Sequence, residues 1–232
     1  MTDASELMRV HIEALFTFDA DRQLARVNEP DGALAPRFFL GQTADGVVTC
    51  FRRDVEQETR EELQRAVQED LRRGIALGSR LNPTRYEEIL DRSAPVARTW
   101  AGPAFSFPGD LTASTATIVI TEENADLLRP LLEEWVPDVR HGEPMVALLV
   151  DGRAVALCCS SRRTSVAHEA GVETARAHRG RGYAGQAAAA WARAVRDMGC
   201  VPLYSTSWKN EASRAVARKL SLIHFGSDLH VT

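Results

Sequence analysis

Lysine is almost missing: 26 of the 28 basic residues are arginine, and only Lys209 and Lys219 are lysine. Coding bias accounts for that asymmetry without any function. Cysteine is scarce as well. Cys50, Cys158, Cys159 and Cys200 show none of the paired spacing that holds zinc, and the vicinal pair lies in an apolar run. A metal-stapled or disulfide-framed fold is thereby excluded, and all four read as reduced core thiols. No apolar run exceeds strand length, which excludes a membrane-spanning helix. Near the start, Ser5-Glu6-Leu7-Met8-Arg9-Val10 scatters charge where a secretory leader would be apolar, so the expected compartment is the cytoplasm. Internal repeats are absent too, which excludes a solenoid, and Ala187 to Ala190 is simply a helical alanine run.

What is present is the balance of a globular protein: 232 residues, 44% apolar and 26% charged, with a net charge of -4. That length accommodates one large domain or two small ones, each able to bury a core. Charge is distributed unevenly. Residues 1–110 hold 19 acidic and 14 basic side chains, and 111–159 hold 8 and 3, whereas 160–232 hold 5 and 11. A basic last third on an acidic chain suits a small anionic ligand better than nucleic acid, which calls for a broader basic surface.

The first half reads as an α+β unit. A short helix is expected over 4–16. Arg37 to Leu40 and Val47 to Phe51 form β-rich runs around Gly41 and Ala44-Asp45-Gly46, a hairpin pattern. Val55, Leu63, Val67 and Leu71 lie at near-helical spacing, predicting an amphipathic helix over 55–73 closed by Gly74, with a shorter helix from Asn82-Pro83-Thr84 to Asp91. Ala101-Gly102-Pro103 to Pro108-Gly109-Asp110 is the expected boundary. Beyond it the order β-α-β-β-β-α-β-α-β is expected: strand 117–120, helix 123–136, two strands joined at Asp151-Gly152, strand 166–174, loop 175–181, helix 183–198, strand 201–208, a helix capped by Asn210, and a last strand at 229–231.

The loop Arg179-Gly180-Arg181-Gly182-Tyr183-Ala184-Gly185 joins a strand to a helix. Glycines let main-chain N–H groups approach an anion there, and the helix start adds its positive dipole end, so the segment suits a pyrophosphate. Gly180, Gly182 and Gly185 also satisfy G-x-G-x-x-G, which keeps an NAD(P)-binding enzyme open. That fold wants a carboxylate about 20 residues on, where Tyr204-Ser205-Thr206-Ser207-Trp208 supplies none.

Arg179, Gly182 and Ala184 meet the pattern R/Q-x-x-G-x-A/G. Together with E-x-x-V-x-T at Glu169, Val172 and Thr174, and W-x-N-x-x-S-x3-A-x-K-L from Trp208 to Leu220, residues 115–232 resemble the GCN5-related N-acetyltransferase (GNAT) superfamily, and within it the zwittermicin-resistance type. The resemblance implies an α/β fold with a central mixed, mostly antiparallel sheet flanked by helices at 112–232, preceded by an α+β accessory domain at 1–110. It implies acetyl-CoA as acyl donor and a small amine as acceptor, with no nucleic acid or membrane partner and a homodimer allowed. The pantetheine arm would lie along main chain at Val172 to Thr174, where the fourth and fifth strands splay. The pyrophosphate would sit on Gly180, Gly182, Tyr183 and Ala184, with Arg179 and Arg181 facing phosphates and Asn210 and Ser213 at the far side.

Acetyl transfer needs a neutral amine and a proton for the departing thiolate. Glu169, His168 and Glu173, in that order, are the candidate bases. In an unbroken strand Glu169 and Glu173 share one face and His168 takes the other, and a bulge would change that parity. The family's usual acid, a tyrosine four residues after the serine, is replaced by Ala217, which leaves Tyr204, Tyr183 or water, or a thiolate that departs without a dedicated acid. It also leaves open a catalytically silent acyl-CoA-binding protein. Trp191 reads as core, His178 as exposed, and His11, His141, His224 and His230 as scattered without ligand spacing.

Overall fold

The computed structural model describes residues 3–73, 82–111 and 116–232. In chain order the elements are α1 (Ala4–Leu15), β1 (Phe16–Phe18), β2 (Leu24–Val27), β3 (Phe38–Thr43), β4 (Gly46–Phe51), α2 (Gln57–Arg72), α3 (Thr84–Asp91), β5 (Thr99–Ser106), β6 (Thr117–Ile120), β7 (Met145–Val150), β8 (Arg153–Arg163), β9 (Ala167–Thr174), α4 (Tyr183–Asp197), β10 (Val201–Ser205), α5 (Glu211–Lys219) and β11 (Ile223–Val231). They divide into two compact units. One comprises Met1–Phe105, Ser205–Asn210 and His224–Thr232, and the other Ser106–Tyr204 and Glu211–Ile223.

In the first unit the strands run β4-β3-β11-β5, with a separate β1-β2 pair, and β11 pairs antiparallel with β3 from Gly226/Thr43 to Val231/Phe38. Phe38, Leu40, Leu229 and Val231 form one face, packed on Leu63 and Val67 of α2 and Tyr86, Ile89 and Leu90 of α3. Each such side chain removed from water stabilises the unit by about 1.5–3 kcal/mol before entropy is counted. The sheet's other face holds a polar cluster. Asp228, wholly buried, takes His11 Nε2 at 3.0 Å and His230 Nε2 at 2.9 Å on one oxygen, so histidines with no common spacing in sequence share a carboxylate. Trp100 stacks on His230 with ring centroids 4.6 Å apart.

In the second unit the order is β10-β9-β8-β7-β6, antiparallel except for the parallel β10/β9 pair. Leu157 and Cys159 of β8 pack with Ile120, Leu128, Leu132 and Val139, while α4 lies against β7, β8 and β9 with Trp191 fully buried. The Asp151-Gly152 hairpin forms as expected, both residues having positive φ (51° and 75°), the geometry a two-residue turn between twisted strands requires. The fold is therefore α/β, with a mixed, mostly antiparallel arrangement of strands flanked by helices.

Several expectations need correction. Residues 123–136 are not one helix but two short 3-10 turns, Ala125–Leu128 and Glu133–Trp135, because Pro130 between them has no N–H to donate and its ring obstructs a continuing α-helix. The glycine- and proline-rich stretch from Ala101 is strand β5 as far as Ser106. Gly102 is needed there by close approach: a Cβ would lie 1.9 Å from the Thr206 carbonyl oxygen. The strand expected over 201–208 stops at Ser205, and the last strand is longer, beginning at Ile223. Cys158 and Cys159 are buried, but Cys50 and Cys200 are only half-buried. Gly74, expected to close α2, lies outside the described residues, as does the expected domain start at residue 112. Among the described residues no helix is long and apolar enough to cross a membrane.

Candidate functional site

Three features converge at the C-terminal end of β9. First, the parallel ladder with β10 runs only from Val201/Ala167 to Leu203/Glu169. Beyond it β9 continues through Ala170–Thr174 with β8 alone as partner, Val172 opposite Cys158 and Thr174 opposite Ala156. The two parallel strands part company at Glu169. Among the described residues no strand pairs with this part of β9 on the side away from β8; side chains of Glu173 and Arg179 take the Thr174 N–H and carbonyl, and main chain at Val172 faces a gap of the shape an extended ligand fills.

Second, the loop after β9 reaches α4 through Gly180 (φ 79°) and Gly182 (φ 82°), left-handed positions that favour glycine. A Cβ at either would meet nothing within 4 Å, so the space above both is open. Gly182 precedes α4 with no side-chain cap, and the first N–H to find an intrahelical carbonyl is that of Gln186, 3.4 Å from Gly182 O. The N–H groups of Tyr183, Ala184 and Gly185 therefore point out of the helix start unsatisfied by it, as an anion requires. Arg176, Arg179, Gly180 and Arg181 are exposed around this opening. Two buried polar atoms beside it, Thr174 Oγ1 and His178 Nδ1, have no hydrogen-bond partner, and His178 is half-buried rather than exposed. These residues fit the diphosphate and amide-bearing arm of a coenzyme A thioester.

Third, the candidate acids and bases occupy distinct environments. The register shift between β8 and β9 falls at Ser161 on β8, so β9 itself is unbroken, and Glu169 and Glu173 share one face while His168 takes the other. Glu169 is 2% exposed, and its carbonyl accepts from Ser161 Oγ at 3.1 Å. His168, equally buried, has Nδ1 2.8 Å from Ser160 Oγ, which accepts from Trp191 Nε1 at 3.1 Å. The arrangement that uses every group has the Ser160 hydroxyl donating to Nδ1, leaving the imidazole neutral with its proton on Nε2. Burial and, secondarily, Arg163 lower the His168 pKa, in keeping with that neutral ring. Tyr183 lies at the start of α4, its ring 6.3 Å from that of His178. Tyr204 is buried with its hydroxyl 2.6 Å from Ser213 Oγ, and burial is the main cause that pushes its pKa up to about 12. Ala217 is buried one turn further along α5, and Asn210, exposed, directly precedes that helix.

Residues 144–225 match the family model described as GNAT acetyltransferase. This segment is GNAT-like. It spans less than half of the chain and includes the splayed strands and the whole glycine loop. No curated protein matches the chain. Among solved structures, the chain is similar to a putative GNAT-family acetyltransferase from Novosphingobium aromaticivorans (18% identity, TM-score 0.48, covering 59% of this chain and 65% of that one). It is also similar to a GCN5-related N-acetyltransferase from Kribbella flavida (14%, 0.49, 100% and 95%) and a GNAT-family acetyltransferase from Colwellia psychrerythraea (12%, 0.46, 100% and 97%). The chain thus spans less than two thirds of the length of the Novosphingobium GNAT protein.

Proposed function

We propose that this protein is an acetyl-CoA-dependent N-acetyltransferase of a small-molecule amine, with 112–232 as catalytic domain and 1–110 as an accessory domain in which acceptor choice resides. The observation that carries the reading is the parting of β9 from β10 at Glu169, directly before a glycine loop whose helix start is uncapped. Main chain at Val172 would receive an amide of the pantetheine arm, whereas Thr174, whose N–H and carbonyl are held by Glu173 and Arg179, would have to release them first. The N–H groups from Gly180 to Ala184, with Arg181, would hold the pyrophosphate, and Asn210 and Ser213 stand at its far side on the resemblance alone. The donor supplies an acetyl group activated as a thioester. The amine nitrogen attacks the thioester carbon, the C–S bond breaks, Glu169 takes the amine proton, and Tyr204, neutral at any physiological pH, gives a proton to the leaving sulfur. The finer likeness, to the zwittermicin-resistance type, rests on the 169–184 and 208–220 patterns.

Calorimetric titration with acetyl-CoA tests the binding half. The reading predicts saturable binding and a raised melting temperature, and the absence of both sinks it. Release of free thiol from acetyl-CoA in the presence of an amine panel tests the chemistry.

A second reading, a catalytically silent acyl-CoA-binding protein, is favoured by one observation: the position of the usual acid is the buried methyl of Ala217. Binding without thiol release for any amine would support it, and one productive amine would end it.

A further inference from the structure

Arg179 does not reach toward the uncapped start of α4. Its guanidinium turns back onto the end of β9, with Nη2 donating to Glu173 Oε1 and Nε to the Thr174 carbonyl, both at 3.0 Å. The same Glu173 oxygen also accepts the Thr174 N–H at 2.9 Å. One planar group thus grips two successive residues of the strand, and Glu173 is held in turn by its place opposite Leu157 in the ladder. Between the two ends of this clasp lies only the short turn Arg176–His178, closed by His178 N–H to Ala175 O at 2.8 Å. Immediately after it come the two left-handed glycines. By contrast, Arg176 and Arg181 are exposed, and neither side chain has a hydrogen-bond or ion-pair partner among the described residues. Arginines so close in sequence are therefore in different chemical situations: one has its fork filled, two have theirs available.

We propose that Arg179 and Glu173 are positioning residues, a clasp that sets the path of residues 175–182, so that the glycine N–H groups face the anion before it arrives, while Arg181 meets the charge. In coenzyme binding this rests on the acetyltransferase reading above, but the clasp itself does not. A single exposed ion pair contributes little, about 0–1 kcal/mol. Here the guanidinium makes two hydrogen bonds to groups fixed in a sheet, so its return lies in lowering the entropy of a loop that would otherwise be ordered only on binding.

The test is a double-mutant cycle on the full chain with E173Q and R179Q, read two ways. Hydrogen exchange of the 180–185 amides in the ligand-free protein needs no coenzyme: each variant speeds it several-fold, the double variant no further, and R181Q leaves it alone. The second readout is the Kd for acetyl-CoA by calorimetry. Each clasp variant weakens binding roughly three- to tenfold, and the effects are not additive with one another but are additive with R181Q. In turnover, KM for acetyl-CoA rises more than kcat falls. Unchanged exchange in both single variants overturns the clasp, as does tighter binding in E173Q, which would mean that Glu173 sequesters a phosphate ligand. Wild-type protein that fails to bind acetyl-CoA, yet shows the exchange pattern, overturns the acetyltransferase reading and leaves the clasp standing.

Discussion

The Tyr204 hydroxyl and the Ser213 Oγ, 2.6 Å apart, connect the end of β10 to the middle of α5. The phenol is buried and its pKa lies about two units above the ordinary value, at about 12, so it is a proton donor throughout the working range. Tyr204→Phe is expected to lower kcat by about 100-fold if the phenol protonates the leaving sulfur. Unchanged turnover would return it to a packing role. Stability gives an independent sign. With the folded pKa above the unfolded one, the contribution is complete below pH 10 and is lost as pH rises toward 12, so urea midpoints should fall over that window in wild type and less in the phenylalanine variant.

Glu169→Gln should cut turnover by about 100-fold while leaving the Kd for acetyl-CoA within a few-fold, because a base that acts on the amine contributes little to holding the donor. Steady-state kinetics and calorimetry on one preparation separate the two. Intact turnover removes Glu169 from the mechanism.

Gly182→Trp places a side chain in space that nothing now occupies, above a residue with φ of 82°. The backbone strain is about 1–2 kcal/mol, which a folded chain can tolerate. The expected result is a melting temperature lowered by a few degrees and acetyl-CoA binding weakened beyond about 100-fold. Undiminished binding would contradict an anion seat at this turn.

Some of this was legible beforehand and some was not, and the division has a physical basis. α4, the 151–152 hairpin and the glycine loop are written in local chemistry: alternation, a turn dipeptide, a helix start. The break at Pro130 was equally local, and the leucines around it concealed it, since apolar spacing alone does not register a missing donor. β5 was hidden because Gly102 looks like a loop residue until the Thr206 carbonyl against it is seen. At the site, the residue types on β9 could be read, but which side chain holds which could not. The Ser160 bridge between Trp191 and His168, the Arg179 clasp and the Tyr204–Ser213 contact join residues whose proximity only the folded chain creates.

Ser160→Ala removes the shared partner of two buried groups, Trp191 Nε1 and His168 Nδ1. Each orphaned group costs about 1–3 kcal/mol, so denaturant unfolding should register about 2 kcal/mol or more. His168 already has a lowered pKa. Its contribution is present above the ordinary value of 6.5 and is lost as pH falls below it, so wild-type stability should decline on acidification through that range.

Asp228→Asn tests the polar cluster of the first unit. Burial opposes the charge on Asp228, but His230 and His11 more than compensate and bring its pKa down to about 2. Removing that charge beneath two histidines is expected to destabilise by about 3–5 kcal/mol at neutral pH. In wild type the stabilisation is present above pH 3.8 and fades as pH falls toward 2, where the two proteins should converge in a urea series.

The place of β11 in the strand order bears on how the protein is made. It lies between β3 and β5, both drawn from the first half of the chain, yet it is synthesised after the whole of the second unit. On the ribosome, β3 and β4 can pair early, but their sheet stays open along one side until residues 223–231 have emerged. During that interval the nascent chain carries an unsatisfied edge that a chaperone, or another nascent chain, can recognise.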